Sequence, residues 1–414
     1  MTSSPVVPAL AHSVLKYRDY RLFLAARLLV TMAIQIQSVV VGIQVYDMSR
    51  DPLALGFVGL AQFLPMLVLI LPAGDLADRF NRRTILMISC LLEAAVAVAF
   101  LLLTVLKVET LSLYYVVLAV FGVVRTLSAP AGQSLVPLLV PPEHLSRAIA
   151  WSSSAFQSAT IMGPALGGLM YALGPASAYA VCCLLALVVA VLFFLIRTPL
   201  VARKASGSAI ERAIEGIRYV RERPVILGAI SLDLFAVLLG GATALIPVFG
   251  RDILVVDSFH IGLLRTAPAL GAALTGLWLG RHPLDRKAGA WMFACVALFG
   301  VATIVFGLSR SFTLSLAALA VLGAADMISV FVRSTLIQAA TPDEMRGRVS
   351  AVSMLFVGAS NELGEFESGL TADWFGAVGS VVLGGVGTVA VVVLWMALFP
   401  ELRRIDRLSD LRAS

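Results

Sequence analysis

The chain has 414 residues, 59% of them hydrophobic and only 14% charged, and its mean hydropathy of +0.95 is too high for a soluble domain of that length. A polytopic membrane protein is the class this leaves. The formal charge of +6 comes from Lys and Arg scattered between apolar runs, with no basic patch interleaved with aromatics, which excludes nucleic acid as a partner.

The first residues, "MTSSPVVPALAHSVLKYRDYRLF", show no charged start followed by an apolar stretch and a small-residue cleavage site, so the first membrane segment is expected to be retained. From there, apolar stretches of about 20 residues, the length a helix needs to cross hydrocarbon, recur about twelve times. They fall near 21–46, 53–73, 84–106, 111–130, 147–171, 176–197, 225–249, 259–281, 288–308, 312–334, 348–371 and 377–399. With the N-terminus inside, the inner segments carry Lys16, Arg18 and Arg21, then Arg79, Arg82 and Arg83, then Arg147, then Arg197 through Arg223. The later inner segments carry Arg281, Arg286 and Lys287, then Arg346 and Arg348, and finally Arg403, Arg404, Arg407 and Arg412. The opposite side keeps Arg50, Lys107, Arg251 and Arg310. This bias predicts a multi-pass protein of a bacterial-type cytoplasmic (inner) membrane with both termini cytoplasmic.

The one long loop, 198–224, contains "SAIERAIEGIRYVRERP", where Ile210, Ile214, Ile217 and Val220 share a helical face opposite Arg and Glu. It predicts a surface helix joining two halves. An internal repeat supports that division: at a constant offset of 201 residues Gly122 meets Gly323, Ser128 meets Ser329, Arg147 meets Arg348, Gly163 meets Gly364 and Leu169 meets Leu370. The expected organisation is an N-terminal six-helix bundle (1–197), a cytoplasmic linker with the amphipathic helix (198–224), a C-terminal six-helix bundle (225–400) and a cytoplasmic tail (401–414). The fold class is all-α, with twelve transmembrane helices in two pseudo-symmetric bundles.

"GDLADRFNRR", Gly74 to Arg83, resembles the signature loop of the major facilitator superfamily, written G-x-L-a-D-R-x-G-R-[KR]. The resemblance makes Gly74, Asp75, Asp78, Arg79, Arg82 and Arg83 the gating candidates. In that family the residues matching Asp78 and Arg79 lock the cytoplasmic side through contacts with the opposite half and a helix terminus, where a carboxylate is favoured. Asn81 stands where the family has Gly, and is expected to keep the turn because Asn tolerates the left-handed conformation. "GPALGG" resembles the superfamily's antiporter motif, with Gly163, Pro164, Gly167 and Gly168 in place, although Ser154 and Ala159 hold positions of its upstream glycines. Small residues at these positions also suit plain helix packing, so that reading stays open. "TPDEMRGRVSA", with Thr341 and Glu344 spaced as a capping box, "YRLFLAAR" and "EGIRYVRERP" resemble the enterobactin-exporter-like branch, which includes siderophore exporters. Related members handle macrolides, other drugs and lysophospholipids.

Charges inside the spans are expensive and face a cavity or a partner. "ASNELGEFESGL" places Glu362 and Glu365 on one helical face, while Glu367 points elsewhere. Two carboxylates so close cannot both ionise cheaply in low dielectric. Glu362, Glu365 and Asp326 are the proton-coupling candidates, the alternative being that this helix sits partly in water near its outer end and its glutamates are solvated or bridge to a loop. Arg125 aligns with Asp326 in the repeat, and the resemblance implies that the first, fourth, seventh and tenth helices line a central cavity. Arg125 and Asp326 are thus expected to pair across it. Gln35, Gln37, Asp233, Arg27 and Glu367 complete the cavity and substrate candidates, with snorkelling as the rival account of Arg27. Arg265 and Glu93 stand isolated.

Cys90, Cys182, Cys183 and Cys295 lie in apolar runs without metal-ligand spacing, and His12, His144, His260 and His282 are scattered, so neither a metal site nor a His-based triad is expected. No phosphate-cradling loop is present and no nucleophile sits beside a base, so neither a cofactor nor an enzyme is indicated. The expected function is proton-coupled export of a small organic molecule by a monomer in the lipid bilayer. A lysophospholipid flippase or uniporter of the same fold, and a non-transporting sensor or scaffold, remain the alternatives.

Overall fold

The computed structural model describes residues 14–197, 209–282, 284 and 286–406, which contain helix and no strand. Six long helices form the first half: α1 (Arg18–Ser49), α2 (Pro52–Arg79), α3 (Arg82–Val105), α4 (Leu111–Leu139), α5 (Leu145–Ala172) and α6 (Pro175–Leu195). The amphipathic α7 (Ala209–Glu222) follows. The second half holds α8 (Pro224–Leu239), α9 (Ser258–Arg281), α10 (Ala288–Leu308) and α11 (Phe312–Ala340), then a 56-residue helical run, Asp343–Leu398. Gly376, at φ 75°, breaks that run into α12 (343–375) and α13 (377–398). Only a residue without a Cβ takes that backbone cheaply.

Among the described residues, nine stretches are long and apolar enough to cross a membrane. One of them, Glu344–Leu398, is α12 and α13 together, and the less apolar α5 and α9 complete twelve crossings in chain order. Local chemistry starts and stops the helices. Asp51 accepts from the Leu53 N–H at 2.8 Å ahead of Pro52, and Asp257 accepts from the His260 N–H at 2.9 Å. Asn81 corrects an expectation: its φ is −66°, not left-handed, and its side chain accepts from the Arg83 N–H at 3.0 Å, capping α3. The capping box at Thr341 does not form either. Thr341 Oγ1 is buried with no hydrogen-bond partner among the described residues, and Arg346 instead donates to the Thr341 carbonyl.

The two halves repeat their contacts. A Cβ on Gly122 of α4 would lie 2.5 Å from the Gln62 carbonyl of α2, and one on Gly323 of α11 would lie 1.9 Å from the Pro268 carbonyl of α9. Likewise Gly163 of α5 would strike Gln35 of α1 at 2.4 Å, and Gly364 of α12 would approach the Val237 carbonyl of α8 at 2.9 Å. Glycine at Gly122, Gly323 and Gly364 lets backbones touch, and at Gly163 it makes room for the Gln35 side chain; small residues are how apolar helices associate where no water drives them together.

The seventh crossing departs from the continuous span expected at 225–249. α8 stops at Leu239, and the chain continues through Gly240 and Gly241, a 3₁₀ turn at Ala242–Leu245 and a π turn at Phe249–Ile253. The break sits against α12, where a Cβ on Gly241 would lie 2.5 Å from the Gly364 carbonyl. Broken backbone at membrane depth survives only inside protein or beside a cavity. Along α7, Val220 is buried against the second half and Glu215 pairs with Arg348 at 2.8 Å, whereas Ile214 and Ile217 stay exposed.

Candidate functional site

A cavity of about 980 Å³ lies between the halves. Its wall takes Gln35 from α1, Gln62 from α2, Arg125 from α4, Gln157 and Pro164 from α5, Arg265 from α9, Asp326 from α11, and Glu362 and Glu365 from α12. Its lining also includes Gly240, Gly241 and Thr243 of the broken crossing. The volume falls at the upper end of the range for small-molecule sites.

Two cross-links organise the charges. Arg125 Nη1 donates to Gln62 Oε1 at 2.9 Å and lies 3.5 Å from Glu362 Oε1, joining α4 of the first half to α12 of the second. The expected Arg125–Asp326 pair is not present. α12 packs directly on α2, beside α4, so Glu362 reaches Arg125 first, and Gln62 holds the guanidinium toward it. Asp326 lines the same cavity with no ion-pair or hydrogen-bond partner among the described residues. Arg265, which looked isolated in sequence, lies 3.7 Å from Glu365 Oε1 and donates to the Thr243 carbonyl at 3.2 Å. Glu365 is seated on Gly59 of α2, where a Cβ would lie 2.8 Å from the glutamate Cβ.

Other candidates lie away from the cavity wall. Gln37 is buried behind it and donates to Glu93 Oε1 at 3.2 Å. Gln37 Oε1 and Glu93 Oε2 are buried with no hydrogen-bond partner among the described residues. Asp233 is sealed in an ion pair with Arg333, both at least nine-tenths buried, so it braces α8 against α11 and is not part of the cavity lining. Sequence inspection passed over Arg333, yet an opposite charge in the tenth crossing was the signal for it. Arg27 stacks over Phe156 at 5.4 Å, its Nε buried with no hydrogen-bond partner among the described residues. Glu367 is not part of the lining, in keeping with its place on another face of α12.

In the signature loop, Gly74 lines the cavity at the end nearest α7, Arg82 is buried, Arg79 is exposed and Arg83 donates to the Phe194 carbonyl at 2.7 Å. The Asp78 side chain lies outside the described residues, and Asp75 is half-buried in α2. The "GPALGG" segment packs two ways. Gly163 and Gly167 meet Gln35 and Ile36 of α1, and Gly168 crosses to the second half, where a Cβ would lie 2.3 Å from the Ser258 carbonyl.

That crossing belongs to a clasp at the end of the molecule opposite α7. Arg251 donates to both oxygens of Asp47 at 2.9 and 2.8 Å, and to Ser258 at 2.9 Å. Tyr171 donates to Asp47 at 2.8 Å, Tyr46 donates to Asp252, and Arg50 lies 3.5 Å from Asp252. Bidentate arginine–carboxylate geometry is the strong form of the ion pair. Clasp and glycine crossing close this end, while the cavity lining runs the other way to Gly74, Gln133 and Ala351. The outer basic residues were counted in the sequence only for their bias; their partners come from another part of the chain and became visible only in the fold.

A cavity closed at one end between two six-helix halves is the architecture of alternating access. A sequence profile of the Major Facilitator Superfamily matches residues 23–357. The chain belongs to the Major Facilitator Superfamily. It is a multi-pass membrane protein, a secondary transporter with a small-molecule substrate and not an enzyme. Similar proteins include macrolide efflux protein A of Streptococcus pyogenes, 23% identical over 87% of this chain and 90% of that protein. The enterobactin exporter EntS of Citrobacter koseri is 26% identical over 93% of this chain and 92% of its own. Among solved structures, the nucleoside transporter NupG superposes with a TM-score of 0.69 at 13% identity, covering 92% of this chain and 99% of that one. A bacterial homologue of the human lysosomal transporter Spinster, inward-facing and unoccupied, superposes at 0.70 with 16% identity, covering 95% and 98%.

Proposed function

We propose that the chain exports a small organic molecule in exchange for protons, by alternating access of the cavity to the two sides of a bacterial cytoplasmic membrane. The positive-inside bias assigns the end with α7 and both termini to the cytoplasm, so this conformation is closed outside and faces in. Residues 1–197 and 225–400 move as the two rocking bundles of a monomer, joined by 198–224, and 401–414 is the cytoplasmic tail. The macrolide and enterobactin exporters among the similar proteins support efflux as the direction and an amphiphilic organic molecule as the cargo.

The observation that carries the reading is the Arg125–Glu362 link, because it is an ion pair made between the halves inside the cavity. A proton on Glu362 cancels the charge that holds Arg125 and loosens the contact between α4 and α12. Glu365 stands one turn further on against Arg265, and Asp326 faces the same space, so three carboxylates are available to take protons. In this reading Asp78 and Arg79 of the signature loop hold the cytoplasmic end shut in the alternate state, and Asp47 and Arg251 part as the outer end opens.

Everted membrane vesicles acidified by respiration, with a fluorescent pH probe, test it as siderophores, dyes, macrolides and lysolipids are added one at a time. Antiport predicts that at least one compound dissipates the gradient with wild type and not with Asp78→Asn. No response to any of them, in vesicles shown to contain folded protein, contradicts proton antiport and leaves a lipid flippase or uniporter.

A further inference from the structure

The charges of the cavity do not balance. Among the described residues its wall carries two guanidinium groups, Arg125 and Arg265, and three carboxyl groups, Asp326, Glu362 and Glu365. Arg125 faces Glu362 at 3.5 Å and Arg265 faces Glu365 at 3.7 Å, and each arginine also donates to a neutral oxygen, Gln62 Oε1 or the Thr243 carbonyl. Both cations are therefore engaged by the protein itself. Asp326 is left over, with no ion-pair or hydrogen-bond partner among the described residues and its side chain on the cavity wall.

Its neighbours cannot supply that partner. Leu322 and Gly323, one turn before it on α11, line the cavity, as do Pro268, Ala269 and Ala272 of the facing α9 and Phe299 of α10. None of these side chains can donate a hydrogen bond. A carboxylate in such surroundings gains most from a cation, and an aromatic ring nearby favours the same sign. An anionic cargo meets the opposite situation: its two possible counter-ions are already paired, and Asp326 repels it.

Resting on the identification of this cavity as the transport site, we infer that Asp326 is the counter-ion of the cargo, and that the cargo is an amphiphilic monocation, such as a protonated tertiary amine or a quaternary onium group on an apolar body. The substrate class is thereby narrowed by sign of charge.

Two probes of the same shape and opposite charge decide it: tetraphenylphosphonium and tetraphenylborate, titrated by equilibrium dialysis into the full-length protein in lipid nanodiscs with no ion gradient. The expected result is saturable binding of the phosphonium ion and much weaker binding of the borate. Asp326→Asn should weaken phosphonium binding by on the order of tenfold or more, with Asp326→Glu retaining most of it. Asp326→Glu and an unchanged gel-filtration profile guard against a folding defect. Equal or tighter binding of the borate, phosphonium binding indifferent to Asp326→Asn, or no phosphonium binding to folded wild type would each overturn the assignment. Because no gradient is present, failure here leaves proton antiport standing, and loss of proton coupling in vesicles leaves this result standing.

Discussion

The two halves place the same backbone contacts at equivalent positions and then fill the next position with different chemistry. Gly163 of α5 and Gly364 of α12 both lie against the first helix of their own half, but Gly163 is followed by Pro164 and Gly364 by Glu365. Gly132 of α4 lies near Arg27, whereas its equivalent in α11 is Arg333, paired with Asp233. Among the described residues, four of the five charged groups on the cavity wall, Arg265, Asp326, Glu362 and Glu365, belong to the second half and one, Arg125, to the first. Scaffold is thus shared between the repeats, and reactive chemistry is concentrated in one of them.

The sharpest way to break this comparison is at its least symmetric point. Asp233→Ala leaves Arg333 buried without its counter-ion and should cost about 3–5 kcal/mol, seen as a large fall in thermal stability in detergent. Arg27→Gln, beside Gly132 in the first half, should have little effect, because among the described residues no carboxylate pairs with it. At the symmetric point the expectation is reversed. Gly122→Ala and Gly323→Ala both force a Cβ into a backbone carbonyl, so each should destabilise by about 1–3 kcal/mol. Gly323→Ala should be the worse, its contact being 1.9 Å against 2.5 Å.

The clasp between the halves gives an effect on conformation. Asp47→Asn removes the charge that receives Arg251 in two bonds, so a cysteine placed in the cavity wall should react faster with an impermeant outside reagent. The exchange Asp47→Arg with Arg251→Asp should restore slow labelling. Smallest is Asp257, which the His260 N–H and ring hold below the ordinary carboxylate range. Asp257→Ala should cost about 1 kcal/mol of helix stability, the usual worth of an N-cap. Because its folded-state pKa is depressed, that contribution is present above the ordinary Asp range and fades as pH falls through the folded value.

Much of the fold could be read from the chain because its determinants are local or periodic: twelve apolar runs, an amphipathic linker, and a repeat whose glycine matches mark real backbone contacts. The site was legible in part. Glu362, Glu365, Asp326 and Arg125 were singled out because charge within an apolar run is costly wherever it lies. Their pairing was not legible, since the repeat aligns Arg125 with Asp326 by descent of position, while the ion pair is set by which helix packs beside α4. Arg333, the Asp47–Arg251 clasp and the break after Leu239 depend on residues far apart in sequence, or on a glycine pair that reads equally well as packing.

The measurement that tests the central claim most directly compares wild type with Glu362→Gln plus Glu365→Gln in proteoliposomes, using a compound that the vesicle screen identifies. Two fluxes are read: uptake driven by a proton gradient, and exchange of labelled for unlabelled compound with no gradient. The account predicts that the variant loses gradient-driven uptake by on the order of tenfold or more and keeps exchange, because the cavity and its gates remain while the two carboxylates that hold Arg125 and Arg265, and whose protonation releases them, are gone. Full proton-driven uptake by that variant would contradict it.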